Sequence, residues 1–289
     1  MGALGAAFWL TCGDVFVALK WYGASVRCFR WAARSDPDSE TIQQRLACSL
    51  WNAGAVQAAE LAFSRLLDVS PSHTGASIDF AMLLQEQNRH AEALAVLDKA
   101  STFKGRDRDF RLHTGRGISL VALGRLDEGI ASLRHAVALD GSFADAVIQL
   151  GAALAKARRW EEAVRWLTEA IRLRPHAPSA YNLGLAFTRL NQLAEAEAAF
   201  RKAIAFETRP SGLITQASAS LAFALAQQGR GHEAVECAER LLKSHPDDLS
   251  ILNTLSANCT LVCLGMWCPS STFWELEAHG GDCPTLSWL

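Results

Sequence analysis

The residues with the greatest chemical reach lie near the end of the sequence, where Cys259, Cys263, Cys268, His279 and Cys283 bring thiols and an imidazole into one stretch. That donor set suits structural zinc, but such sites use short C-x2-C ladders, and these spacings match none of them. Free thiols are the expected state, with no metal and no cofactor. Cys283 and His279 could act as nucleophile and base only if something fixed their geometry, and Gly280-Gly281 lies between them. His232-Glu233 opens a helical pattern, yet Glu236 stands where a zinc-protease helix needs its second histidine. Gly115-Arg116-Gly117 lacks the third glycine of a dinucleotide turn and sits inside a helical pattern, and no P-loop occurs. The chain is expected not to be an enzyme.

What must position these residues is a chain of 289 residues, 50% hydrophobic and 20% charged. It can bury a core, which excludes a wholly disordered protein. Its formal net charge of -2 removes the footprint of a protein that neutralises many phosphates, so nucleic acid is not an expected partner. Eight scattered cysteines do not form a disulfide framework; they read as small buried hydrophobes of a protein kept in a reducing, cytoplasmic compartment. The apolar stretch 2–19 contains Asp14 and lacks a basic leading segment, so no signal peptide is read there, and Ala6 spoils a myristoylation pattern. Residues 249–274 carry no charge, but Asn253, Ser256, Asn258, Thr260 and Pro269 interrupt them, and no membrane span is expected.

Internal periodicity organises the rest. Laying 144–176 over 177–210 aligns Leu150-Gly151 with Leu183-Gly184, Ala163 with Ala196, Leu167 with Phe200 and Ala170 with Ala203. Blocks of nearly constant length start at Ala6, Glu40, Thr74, Phe110, Ala144, Ala177 and Thr215. The implied organisation is a divergent Trp-rich first unit (1–39), six units at 40–73, 74–107, 110–143, 144–176, 177–210 and 215–248, a capping helix or half unit at 249–263, and a tail at 264–289. The tail breaks the pattern; it is either a cover over the last hairpin or the product of splicing or a shifted frame.

Each block carries two amphipathic helical patterns. In the fifth, Val147, Leu150, Gly151 and Leu154 share one helix face, and Ala163, Val164, Leu167, Ala170 and Ile171 share another. Glu161 and Glu162 open the second helix and Arg172 and Arg174 close it, as the helix dipole favours. Pro37, Pro71, Pro175 and Pro246 end second helices, with Gly105 and Gly141 in their place elsewhere. Small residues recur at two places: Gly13, Ala47, Ala81, Gly117, Gly151, Gly184 and Ala222, then twelve residues on, Ser25, Ala59, Ala93, Gly129, Ala163, Ala196 and Ala234. Paired antiparallel helices approach most closely there.

These residues resemble the tetratricopeptide repeat (TPR) family, most clearly through Ala180-Tyr181-Asn182-Leu183-Gly184, Phe187, Ala194-Glu195-Ala196, Phe200 and Lys202-Ala203. The resemblance implies an all-α, right-handed α-solenoid of about seven helical hairpins plus a C-terminal capping helix, acting as an interaction scaffold whose first helices line a concave face that holds a peptide or protein segment. It also implies which positions face that groove: Gln44, Arg45, Trp51 and Asn52; Asp79 and Met82; Gln149; Tyr181, Asn182, Leu185 and Arg189; and Phe223. Ile118, Ile148, Met82 and Leu185 could instead pack neighbouring first helices together. In the sharper reading Asn182, Gln149 and Arg189 bond an extended ligand, and Trp51, Tyr181 and Phe223 supply amphipathic contacts. A carboxylate clamp of the chaperone-binding members would need basic or amide groups where Ile148, Ala152, Gln216 and Ser220 stand, so that partner class is not expected. Other readings of the same array are the targeting region of a larger enzyme such as a glycosyltransferase, and an assembly subunit that self-associates through its Trp-rich first block.

Overall fold

A computed structural model of the chain describes residues 3–103, 105, 108–207 and 211–244. Fourteen α-helices and no strand occur among the described residues. The expected capping helix, the tail and the Cys259 to Cys283 group lie outside them, as does Pro246. The chain divides into two compact units, residues 1–173 and 174–289. The first contains five helical hairpins: α1 (Ala3–Ala18) with α2 (Tyr22–Ser35), α3 (Glu40–Asn52) with α4 (Val56–Val69), α5 (Thr74–Glu86) with α6 (His90–Ser101), α7 (Phe110–Ala122) with α8 (Leu126–Leu139), and α9 (Ala144–Lys156) with α10 (Trp160–Leu173). The second contains α11 (Ala177–Arg189) with α12 (Leu193–Phe206), and α13 (Gly212–Gln227) with α14 (Gly231–Ser244). The first helices of two hairpins start earlier than the sequence blocks, α1 at Ala3 and α13 at Gly212.

One turn chemistry joins the helices of every hairpin. Lys20, Gly54, Asn88, Gly124, Arg158, Asn191 and Gly229 all have left-handed backbone, with φ between 58° and 81°. After each, the next amide donates back to a carbonyl five residues earlier, as in Arg159 N to Leu154 O at 2.9 Å and Gln192 N to Phe187 O at 2.9 Å. That bond satisfies a carbonyl the helix end would leave orphaned and reverses the chain.

Close approach then fixes how the two helices meet. All fourteen small residues of the comb are buried. Sixteen residues past the first member of six of the seven pairs comes a large apolar side chain, Phe29, Phe63, Leu97, Leu133 and Leu167 in unit 1 and Phe200 in unit 2, each at most 1% exposed, while Ala238 holds that place in the seventh. A β-carbon added at Gly13 would lie 2.5 Å from Phe29, one at Gly117 2.5 Å from Leu133, and one at Gly184 2.5 Å from Phe200. The glycine is therefore the socket for the ring or isobutyl group of the opposing helix. Burying each such side chain contributes about 1.5–3 kcal/mol.

Candidate functional site

The first helices carry the candidate residues, and in unit 1 most of the polar ones bond the neighbouring first helix. Arg45 Nη1 of α3 reaches Asp14 Oδ1 of α1 at 3.0 Å. Gln44 Nε2 donates to Asp79 Oδ2 of α5 at 2.6 Å, and the Cys48 thiol donates to the same oxygen at 3.3 Å. Trp51 Nε1 donates to Glu86 Oε2 at 2.8 Å, whereas Asn52 turns back to Cys48 O of its own helix at 2.9 Å. Gln85 continues the series, donating to Gly115 O and Ser119 Oγ of α7, both at 2.8 Å. Lys156 of α9 donates to Val121 O of α7 at 3.1 Å.

Burial pushes the Cys48 thiol up, and the Asp79 carboxylate beside it pushes it further. The thiol is a half-buried donor rather than a nucleophile. Met82 is 47% exposed, whereas Ile148 is buried among Val147, Ala170 and Trp166. Gln149 is half-buried.

Unit 2 differs. Asn182, Leu185 and Arg189 recur at i, i+3 and i+7 of α11, so one stripe presents an amide, an apolar group and a cation; the first two are half-buried and Arg189 is exposed. Tyr181 and Leu185 lean on the apolar cluster of Phe200, Leu221 and Leu225, with the Tyr181 and Phe200 rings 5.9 Å apart. Phe223 of α13 is half-buried.

A feature the sequence reading passed over lies at the start of the second helices. Arg89, Arg125, Arg159 and Arg230 immediately precede α6, α8, α10 and α14, where the helix dipole disfavours a cation. Each is held by the glutamate three residues on: Glu92, Glu128, Glu162 and Glu233, at 2.5–2.6 Å. Arg89 also bonds Glu60 of α4, and Arg230 bonds Glu197 of α12, so two of these arginines tie successive second helices together. The glutamates' carboxyls are held below the usual range by those arginines. The legible signal was an R-x-x-E string in four of the seven blocks.

Among the described residues no group of acids, cysteines and histidines could hold a metal ion, and no helix is long and apolar enough to cross a membrane.

Comparison with known proteins agrees with this geometry. Residues 45–105, 114–178, 177–207 and 215–240 match the tetratricopeptide repeat. The TPR repeat-containing protein YpiA of Bacillus subtilis (strain 168) is 25% identical over 193 residues, covering 66% of this chain; the chain spans 43% of that relative's length. Among solved structures, the APC/C hetero-tetramer Cut9-Hcn1 matches with a TM-score of 0.65 at 15% identity, over 82% of this chain and 48% of that one. YrrB, described as a TPR protein with an unusual peptide-binding site, matches with a TM-score of 0.51 at 21% identity, over 65% of this chain and 96% of its own. The likenesses show a shared fold of stacked helical hairpins. With the same turn and the same glycine or alanine socket recurring along the matched stretches, the chain belongs to the tetratricopeptide repeat family.

Proposed function

We propose that the chain is a non-catalytic scaffold that holds a protein or peptide segment against its first helices, and that the α11 stripe of unit 2 is the main contact. The observation that carries this reading is the difference between the two sets of candidates. In unit 1, Gln44, Arg45, Trp51 and Asp79 bond neighbouring first helices, whereas in unit 2 Asn182, Leu185 and Arg189 share one side of α11, with Leu185 leaning on the Phe200 cluster and Arg189 exposed. An amide can bond the backbone of an extended ligand, a guanidinium can take a carboxylate with two hydrogen bonds, and the leucine gives apolar contact between them. The peptide-binding site described for YrrB, on the same fold, supports the class of ligand. Phe223 of α13 extends the contact. Free thiols at Cys12, Cys28, Cys48 and Cys237 fit a cytoplasmic setting, where thiols stay reduced.

Peptide-array binding by the parent protein, Asn182→Ala, Arg189→Ala and the control Glu195→Ala tests this. Loss of a well-placed polar contact should weaken the bound peptides about tenfold, while Glu195→Ala, exposed on α12, should leave them unchanged. Identical binding by all four proteins would show that α11 is not the contact.

A further inference from the structure

The first hairpin exposes apolar surface that the rest of unit 1 does not cover. Phe8 is 60% exposed, Val15 53%, Leu19 53%, Trp21 61% and Trp31 51%. These are not scattered singly. Phe8 and Val15 fall at i and i+7 of α1, which places them on one side, and Leu19, in the turn just past the end of α1, donates its amide to Val15 O at 3.0 Å. Phe8 meets Trp9 edge-on at 5.3 Å, and Trp9 stacks with Trp31 of α2 at 6.2 Å. Phe16 stacks with Trp21 at 5.9 Å, so aromatic contacts join the two helices near both ends of the hairpin.

Cations border this surface. Lys20, Arg27, Arg30 and Arg34 are all exposed. Arg27 is one helical turn before Trp31, and the Arg34 guanidinium lies 4.9 Å from the centre of the Trp31 ring. Among residues 3–35 the sole acid is Asp14, and its carboxylate is engaged by Arg45; Asp36 and Asp38 follow in the connection to α3.

We propose that the α1–α2 hairpin docks on an anionic lipid surface. Indole rings and aliphatic side chains enter the boundary between headgroup and acyl chain, and lysine and arginine beside them gain from the negative surface potential. Charge complementarity chooses this occupant over a second copy of the chain. Two such faces meeting across a twofold axis would bring four cations from each copy together, whereas an anionic bilayer receives both the rings and the charges. The contact is peripheral: α1 has 16 residues, too few for a comfortable span.

Flotation of the full chain with phosphatidylcholine vesicles, with and without 30% phosphatidylserine, tests the proposal; the compositions are experimental settings of about physiological charge. Binding is expected on the serine-containing vesicles and should weaken sharply in high salt. Arg27→Ala with Arg30→Ala should weaken it about 25-fold, from roughly fivefold per charge near such a surface. Phe8→Ser with Val15→Ser should abolish it, and an unchanged thermal melt will establish that the variants remain folded. Failure to float with either vesicle, or equal binding to both that the arginine pair does not affect, overturns the proposal. So does a concentration-dependent dimer in sedimentation that Phe8→Ser with Val15→Ser dissolves, because the face would then belong to a second copy.

Discussion

Left-handed backbone at the hairpin turns is the sharpest demand placed on single residues. Gly54, Gly124 and Gly229 meet it without cost, and Asn88 and Asn191 tolerate it, but Lys20 and Arg158 carry a β-carbon crowded against the following carbonyl. Arg158 is exposed, with φ of 59°. Arg158→Gly should therefore stabilise the protein by about 0.5–1 kcal/mol, the relief of about 1–2 kcal/mol being partly offset by the greater freedom of glycine in the unfolded chain. Asn88→Gly should be nearly neutral, and equal denaturation midpoints for Arg158→Gly and the parent would show that the turn holds no strain. The Cys48 thiol gives a pH prediction with a definite sign. Its folded pKa is raised by burial and by Asp79. Its contribution to stability is thus complete below the unfolded thiol's pKa of about 8.5, and is lost as pH rises above that value. Cys48→Ala should flatten the decline in stability between about pH 9 and 10, and in the native protein Cys48 should resist alkylation at pH 8 until denaturant is added. Rapid labelling without denaturant would show that the thiol is not shielded as described.

At the scale of the helix the small-residue comb dominates, and it was readable because size and spacing alone define it. Ala163 is fully buried. Ala163→Leu adds three carbons where two helices are closest, and should cost about 1–3 kcal/mol by overpacking; an unchanged melting temperature would remove the socket argument. At Gly184 two effects oppose each other. Alanine improves helix propensity by about 1 kcal/mol, but its β-carbon would stand 2.5 Å from a Phe200 ring that is 1% exposed, so Gly184→Ala should be net destabilising. The pairing of helices and the identity of the buried faces were likewise legible in the 3.6-residue periodicity. The ion pairs at the second-helix starts were harder to read. Glu161 stands one helical turn before Arg165, a spacing that allows a pair, whereas the recorded pairs join Glu162 to Arg159 and to Arg134 of the preceding second helix. Spacing within one helix cannot reveal which side of it meets its neighbour, and that orientation decides which glutamate an arginine reaches.

Across several hairpins, polar residues about one block apart act as rungs between successive first helices of unit 1, and this is why candidate groove residues taken one at a time looked available for a ligand. Gln44 meets Asp79, Trp51 meets Glu86, Gln85 meets Ser119 and Lys156 meets Val121, each 34 or 35 residues apart. Complementary groups at that separation were present in the sequence, but their bonding followed only once the helices were stacked. In such an array each hairpin stabilises its immediate neighbours, so a local loss should stay local. Gln85→Ala makes this measurable. It removes the donor that links α5 to Gly115 O and Ser119 Oγ of α7, and Ser119 is fully buried. Leaving those acceptors short of a partner should cost about 1–3 kcal/mol. Hydrogen exchange should then accelerate in α5 to α8, on either side of the broken rung, while amides of α1 and α2 keep the parent's protection. Uniform acceleration from α1 through α10 would mean that unit 1 opens in a single step, and the rungs could not then be treated as nearest-neighbour contacts.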